Sequence, residues 1–394
     1  MPEETLFWIA TGVVAALGVA SLALWGRISG GRQRAVDEKQ AYLKGVHYLL
    51  VDDTDAAIEA LTRVVEVNTE TIDTYFALGV LFRRKGELER ATRIHQNILL
   101  RPGISPRIEA QAHCELAEDY RASGLQEESA AAYEKAEKVA PKGWDRLPEV
   151  LEGLRDVRIL QGRLEAAVEV QRRRMRLVDG DERGVLAHLL AALGARLAGE
   201  GATEEARRFL KEALKADADC VEAHLEMGRF AAKQLADRKL AQKHLERAID
   251  LQPEVIVLAY PILADLHFEG GDFEAFGAFL QAAVGRHPDD PHLRLALARH
   301  LRARKLNDRA VEELRLALDL DPDFRAARQE LGRILLEEDK GRELREQFAA
   351  ILEGAPPKAS DFTCARCGQP VGALLFRCPR CQAFGTIRWR AATA

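Results

Sequence analysis

The chain has 394 residues, of which 47% are hydrophobic and 30% charged, which excludes a disordered protein and allows more than one folded unit. A formal net charge of −5 gives no general attraction to nucleic acid. Six cysteines are too few for a disulfide framework, and four of them lie between Cys364 and Cys381, which indicates a reducing compartment and one metal site.

The first predicted element is a membrane anchor. After a short tail at 1–5, the segment 6–25 contains no charged residue, and a helix of this length crosses a hydrocarbon layer of about 30 Å. Trp8 and Trp25 stand near its ends, where amphipathic rings prefer the membrane interface. The alternative is a cleaved signal peptide, which normally starts with basic residues, and the tail at 1–5 has none. The pattern therefore favours a transmembrane helix.

The charges that flank this anchor predict its orientation. The juxtamembrane linker, 26–39, carries Arg27, Arg32, Arg34 and Lys39, whereas the tail before the anchor carries no basic residue. Lys and Arg near a membrane span are retained on the cytoplasmic side. We therefore expect a single-pass protein whose bulk lies in the cytoplasm.

The segment 40–354 repeats one pattern with a period near 34 residues. The pattern starts with a Leu-Gly-like pair, and a small residue follows twelve positions later. An apolar residue stands four positions after the small one, and Ala or another apolar residue stands three positions further on. A Pro often follows after five more positions. The pattern resembles the tetratricopeptide repeat (TPR), with about nine copies in the chain. The clearest copies begin at Leu78, Leu116, Leu193, Met227, Leu263 and Leu297.

Each copy predicts two antiparallel helices, A and B. Small residues on both helices allow close approach, and Pro ends helix B because it cannot continue the hydrogen-bond ladder. A helix pair buries its apolar face only against neighbouring pairs. The predicted fold is all-α: a TPR superhelical solenoid of about nine helix pairs, with an N-terminal transmembrane helix and a small C-terminal β knuckle of the rubredoxin-like or zinc-ribbon type.

A stacked array of this kind presents a long concave surface that suits protein partners. The residues that would contact a partner stand on helix A, on the side that faces the concave surface. The alternative for the arginines among them is an exposed, solvated helix face. In the second and third copies the predicted partner-binding residues are Phe76, Val80, Arg83, Arg84 and Arg121.

A breaker-rich linker, 355–361, leads to a four-cysteine domain at 362–390. Two Cys-x-x-Cys pairs, ten residues apart, can direct four thiolates tetrahedrally at one metal ion; the ligands are Cys364, Cys367, Cys378 and Cys381. The shortness of the segment between the pairs favours zinc over the iron of rubredoxins, and iron stays open because such sites accept both.

The two cysteine pairs differ in the residue that follows them. Gly368 follows the first pair and suits a tight turn, whereas Gln382 follows the second, which puts one N–H···S contact in doubt. The domain is also basic, which fits nucleic acid or a protein-docking face, and the acidic remainder of the chain favours docking.

No catalytic motif is found in the sequence: it lacks a nucleophile elbow, a P-loop, a zincin motif and a dinucleotide fingerprint. A closed four-thiolate site also has no open coordination position for hydrolysis. We therefore expect a protein that binds other proteins and is not an enzyme.

The order of anchor, repeats and knuckle resembles the lipopolysaccharide assembly protein B family of Gram-negative bacteria. The resemblance spans nearly the whole chain and is sharpest in two places. One is LFRRKGELERATRIHQNIL, from Leu81 to Leu99, and the other is the tail that runs from Cys378-Pro-Arg-Cys381 to Thr386-Ile387.

This resemblance implies a place and a pathway. It implies a bacterial inner-membrane protein with its bulk on the cytoplasmic side, which brings the lipid A pathway deacetylase to a membrane AAA+ protease and so limits lipopolysaccharide synthesis. Other inner-membrane lipopolysaccharide regulators are implied as further partners. The alternative is a membrane-anchored TPR scaffold for another envelope assembly complex.

Overall fold

The computed structural model describes residues 43–44, 47–48, 53–67, 72–342, 344–345 and 362–389. Within these residues, no helix combines the length and the apolar character needed to cross a membrane. The predicted anchor at 6–25 and the linkers at 26–39 and 355–361 lie outside them, so the domain boundaries drawn from the sequence stay predictions.

The chain divides after Arg163 into two compact units. The helices of the first unit are α1 (Thr54–Val67), α2 (Ile72–Lys85), α3 (Leu88–Leu99), α4 (Pro106–Ala122), α5 (Gln126–Val139) and α6 (Leu147–Leu160). Within the described part of this unit, α2 with α3 and α4 with α5 form two complete A/B pairs.

Within its described residues, the second unit contains four complete A/B pairs and the knuckle. Its helices are α7 (Leu164–Arg174), α8 (Arg183–Gly199), α9 (Thr203–Ala216), α10 (Val221–Phe230), α11 (Arg238–Leu251), α12 (Ile256–Glu269), α13 (Phe273–Arg286), α14 (Pro291–Ala303), α15 (Asn307–Leu320) and α16 (Arg325–Glu337). A π turn, Ala231–Leu235, extends α10, and a 3-10 turn, Pro253–Val255, precedes α12. The predicted all-α TPR fold is confirmed.

Local sequence explains where the helices begin and end. Asp290 accepts a hydrogen bond from the backbone N–H of Leu293 at 2.9 Å, and Pro291 occupies the first turn of α14, where its missing N–H costs nothing. Helix α5 ends two residues before Pro141, and helix α15 ends two residues before Pro322. The residue that precedes a proline is disfavoured in the helical conformation. The predicted role of these prolines is confirmed.

Glycines on helix A let helix B approach closely. A Cβ added to Gly194 of α8 would lie 2.7 Å from Leu210 Cγ of α9, and one added to Gly228 of α10 would lie 2.6 Å from Leu245 Cγ of α11. Such distances are far inside van der Waals contact, so no larger residue fits without displacement of the facing leucine. The small residue of the Leu-Gly-like pair therefore sets the spacing within each of these repeats.

The core of the second unit is continuous with the knuckle. Buried apolar residues of α10 to α16 form one cluster with Phe362, Val371, Leu374 and Ile387 of the C-terminal domain. The knuckle therefore packs on the repeats of its own unit, which removes part of its apolar surface from water.

We expect Gly228→Ala to destabilise the protein although alanine has the higher helix propensity. The added Cβ overpacks Leu245 Cγ, at a cost of about 1–3 kcal/mol in a close-packed core. Gly285→Ala on α13 is the matched control, because no atom lies within 4 Å of its added Cβ, and we expect it to stabilise by up to about 1 kcal/mol. Urea unfolding of both variants measures the difference, and stabilisation by Gly228→Ala would contradict the spacing role.

Candidate metal centre and its contact with the repeats

A small antiparallel sheet organises the C-terminal domain. It contains β1 (Phe362–Cys364), β2 (Pro370–Val371) and β3 (Ile387–Trp389) in the order β2-β1-β3. Phe362 lies opposite Trp389, and Cys364 lies opposite Ile387. Each Cys-x-x-Cys pair begins at or beside a strand or bridge and continues into a tight turn, so the two turns come together at one end of the sheet.

The four predicted ligands are brought together by these turns. The Sγ atoms of Cys364 and Cys381 are 3.6 Å apart, those of Cys367 and Cys378 are 3.7 Å apart, and all four lie within 4.8 Å of one another. The edge of a tetrahedron of sulfurs at about 2.3 Å from a zinc ion is about 3.8 Å. Four free thiols with this spacing can hold one metal ion, and they form no disulfide.

The two cysteine turns have the same backbone form although their sequences differ. Gly368 has φ 69° and its N–H donates to the carbonyl of Cys364, while Gln382 has φ 59° and its N–H donates to the carbonyl of Cys378. The Gln382 side chain also donates to the Pro379 carbonyl at 2.6 Å. The missing glycine therefore does not alter the second turn, since Gln382 takes the left-handed conformation at a small energetic cost.

The protein environment favours a thiolate at one of the four positions. The hydroxyl of Thr386, 3.2 Å from Cys364 Sγ, and the backbone N–H groups of Arg366 and Cys367 hold the pKa of Cys364 at about 6. The N–H of Ala383 acts in the same direction on Cys381, but burial and the neighbouring thiols raise the pKa of Cys381 to about 11. Crowded thiols of this kind lose their protons to a bound cation.

Aromatic contacts dock the sheet of the knuckle on α14. The ring of His292 stacks on Phe362 at 6.0 Å between centroids and meets Trp389 edge-on at 5.4 Å. A third aromatic neighbour of His292 is Phe324, with the ring centroids 4.9 Å apart. His292 is only 4% exposed, so these contacts form part of the core of the unit.

Polar contacts join β3 to the connection between α11 and α12. The Gln252 side chain donates to the Ile387 carbonyl at 3.4 Å, and Arg388 donates to Gln252 Oε1 at 3.5 Å. The backbone N–H of Trp389 donates to Glu254 at 3.5 Å. Arg388 is one of the basic residues that raised the question of nucleic acid, and it contributes to docking within the protein.

A charged histidine on α8 lies under the second cysteine turn. His188 stacks on Phe384 at 5.4 Å between centroids, and a Cβ added to Gly385 would lie 3.1 Å from His188 Nε2. Burial lowers the pKa of His188, but hydrogen bonds with Cys220 and Glu222 outweigh it and raise that pKa to about 10. The protonated imidazole on Phe384 forms a cation–π contact.

The predicted partner-binding residues of the first unit have different environments. Phe76 is 5% exposed and packs with Ile98 and Ala112, so it offers a partner little surface in this conformation. Val80 is half-buried, whereas Arg84 and Arg121 are exposed. For Val80, Arg84 and Arg121 the binding role stays a prediction.

Arg83 is held inside an ion-pair network. Its guanidinium donates to Glu115 and Asp119, each at 2.7 Å, and Asp119 also bonds His95 Nδ1 at 2.5 Å. Arg146 approaches the other oxygen of Glu115 at 3.2 Å. Periodicity alone could not reveal this network, because its members come from α2, α3, α4 and the start of α6. Arg83 binds these helices together in addition to any role with a partner.

Comparison with protein-family models indicates the class of protein. Residues 231–291 match the family model described as tetratricopeptide repeat. Together with the paired helices and their close glycine contacts, this match shows TPR helix pairs followed by a four-cysteine knuckle.

Curated relatives then give the particular resemblance. Lipopolysaccharide assembly protein B of Escherichia coli (strain K12) is 26% identical over 373 residues, which cover 91% of this chain and 93% of the relative. The protein of that name from Haemophilus influenzae is 24% identical over 361 residues, with 88% of each chain covered. The resemblance to this family inferred from the sequence is confirmed.

Comparison with solved structures gives a weaker likeness than comparison with the curated relatives. The structure of YrrB, described as a TPR protein with an unusual peptide-binding site, is 23% identical and covers 50% of this chain and 94% of its own, with a TM-score of 0.36. A likeness of this size carries no conclusion about the site or the function.

We expect the stability of the second unit to fall as His188 loses its proton. Because folding raises the pKa of His188 from 6.5 to about 10, the stabilisation is complete below about pH 6.5 and is lost as the pH rises towards 10. The loss is at most about 1.4 kcal/mol per pH unit. Urea midpoints across this range measure it in the intact chain and in His188→Gln, which has no such titration. Equal slopes in the two proteins would contradict the assignment.

Proposed function

We propose that this protein is a non-enzymatic, membrane-anchored adaptor that limits lipopolysaccharide synthesis by presenting the lipid A pathway deacetylase to a membrane AAA+ protease. The observation that carries the proposal is the match to lipopolysaccharide assembly protein B over 91% of the chain and 93% of the relative. Because the match covers nearly the whole of both chains, the role of the whole relative is transferred and not that of one repeat.

The described architecture supports a scaffold role. Helix pairs with tight glycine crossings form a stiff array, and the knuckle adds a second recognition element fixed to the same unit. An array beside a membrane raises the local concentration of a bound client near a membrane protease without a direct contact between the two.

Zinc is the metal that we propose for the knuckle. The Cys364–Cys381 and Cys367–Cys378 separations of 3.6 and 3.7 Å suit four thiolates around one ion, and four protein ligands leave no open position. Its contribution is structural: it holds both turns, so that β1 and β3 keep their docking surface. Iron is the alternative, because a four-thiolate site accepts it.

Elemental analysis of the purified chain tests the choice of metal. We expect about one zinc per chain and its loss in Cys364→Ser. A visible thiolate-to-iron absorption band with one iron per chain would contradict the choice of zinc.

The membrane anchor at 6–25 belongs to the proposal. Its uncharged length and the basic linker at 26–39 support a single span with the repeats on the cytoplasmic side of the bacterial inner membrane. Other inner-membrane regulators of lipopolysaccharide are proposed as partners on the same grounds of resemblance.

The adaptor role is tested by deacetylase turnover in the bacterium that encodes this chain. We expect the deacetylase to accumulate in a deletion strain and in one that carries Cys364→Ser, because the variant loses one of four metal ligands and with it the docked knuckle. Cys114→Ser is the matched control, since Cys114 is also buried but lies outside the knuckle, and we expect turnover to be retained.

Unchanged deacetylase turnover in both the deletion and Cys364→Ser strains would exclude the adaptor role. Co-purification with the anchored chain then addresses the alternative, a scaffold for another envelope assembly complex. Recovery of envelope assembly proteins without the protease and the deacetylase would favour that alternative.

A further inference from the structure

Two histidines of one repeat face each other where α10 packs on α11. His224 and His244 bring their Nδ1 atoms to 3.0 Å, with ring centroids 5.1 Å apart and ring planes inclined by 39°. They stand apart from the four cysteines and from the contacts that dock the knuckle. Neither the TPR pattern nor the proposed adaptor role accounts for the pair.

A backbone contact fixes which nitrogen of His224 is free. Its Nε2 lies 2.9 Å from the carbonyl oxygen of Ala218, which can only accept, so Nε2 carries the proton. The Nδ1 lone pair then points towards His244. Proteins orient imidazole ligands of metals through such a bond from the outer nitrogen. Burial also lowers the pKa of both imidazoles, that of His244 to about 4, so both are neutral at neutral pH.

The separation of the two nitrogens matches a metal site. Two imidazole nitrogens bound at about 2.0–2.1 Å and at right angles to each other lie about 2.9 Å apart. The observed 3.0 Å therefore suits adjacent positions on one ion. His244 would bind through Nδ1 as its other neutral tautomer, with the proton on Nε2, so binding requires no net change in charge on the protein.

The surroundings of His224 give access from solvent. His224 lines a cleft of about 730 Å³. Arg247, one of the cations there, is held by Asp219 at 2.6 Å. The cleft is lined by three carboxylates and three cations, namely Asp219, Glu246, Asp250, Lys239, Lys243 and Arg247. Their charges balance, so the cleft itself does not repel a divalent ion.

We propose that His224 and His244 form a second metal site, separate from the cysteine knuckle, that takes a late first-row divalent transition ion such as Ni²⁺ or Cu²⁺. Mixed nitrogen and oxygen donors in a square or tetragonal arrangement suit these ions. Water completes the shell. A bound ion joins α10 to α11 and stabilises the native repeat by mass action.

Nickel binding to the full chain, with its knuckle already loaded with zinc, tests the site. We expect one Ni²⁺ per chain in addition to the zinc, and a rise in the thermal unfolding temperature that follows the Ni²⁺ concentration. In His244→Gln we expect binding to weaken by about tenfold or more, because loss of a ligand costs at least as much as loss of the group that orients one. The variant keeps His224 and its bond to Ala218, so circular dichroism should show an intact helical fold.

His113→Gln is the matched control, since His113 is also a half-buried histidine with a pKa lowered by burial, but it stands on α4. We expect it to bind nickel as the unaltered chain does. Three results would each overturn the proposal: no second ion in the unaltered chain, equal binding in His244→Gln, or a thiolate-to-nickel absorption band with release of zinc, which places the nickel in the knuckle.

Discussion

The close approach of helix A to helix B within each repeat is the constraint on which the rest of the protein depends. At Gly194 and Gly228 there is no room for a single added carbon, because the facing leucine already occupies the space. This spacing lets short, amphipathic helices with few aromatic residues close a core, since each pair adds a continuous layer to the next. The positions of the ion pairs and of the docked knuckle therefore depend on that spacing.

The knuckle shows how a very small domain becomes stable on such an array. Its three short strands have little core of their own, so its order depends on the bound metal and on contacts with the repeats. His188, Gln252 and His292 supply those contacts from α8, from the connection after α11 and from α14. The site and the scaffold are therefore one cooperative structure within the second unit.

The sequence predicted the parts of this protein that depend on local pattern. The TPR period, the prolines that end helix B and the four cysteines are all signals of spacing, and spacing is directly visible in a sequence. The absence of a glycine at position 382 put the second cysteine turn in doubt. The turn forms nevertheless, because the side chain of Gln382 donates a hydrogen bond to the Pro379 carbonyl. The burial of Phe76 was not predicted, since a helix face cannot be assigned to the core or to solvent without its neighbours.

Contacts between distant segments were the part that sequence could not supply. The network around Arg83 and the docking of the knuckle join residues that are 24 to 196 positions apart, and no periodic pattern records such pairs. The pairing of His224 with His244 belongs to the same group, because it depends on the rotation of two helices about their axes.

The order of folding during synthesis follows from where the knuckle stands in the chain. The first unit is complete once Arg163 has left the ribosome, whereas the core of the second unit includes Ile387 of the knuckle. Because domains generally fold as they emerge, the second unit can complete its core only after the knuckle has emerged. A truncated or frameshifted product would therefore expose the docking surface of its repeats, which marks it for removal by the quality-control machinery of the cell.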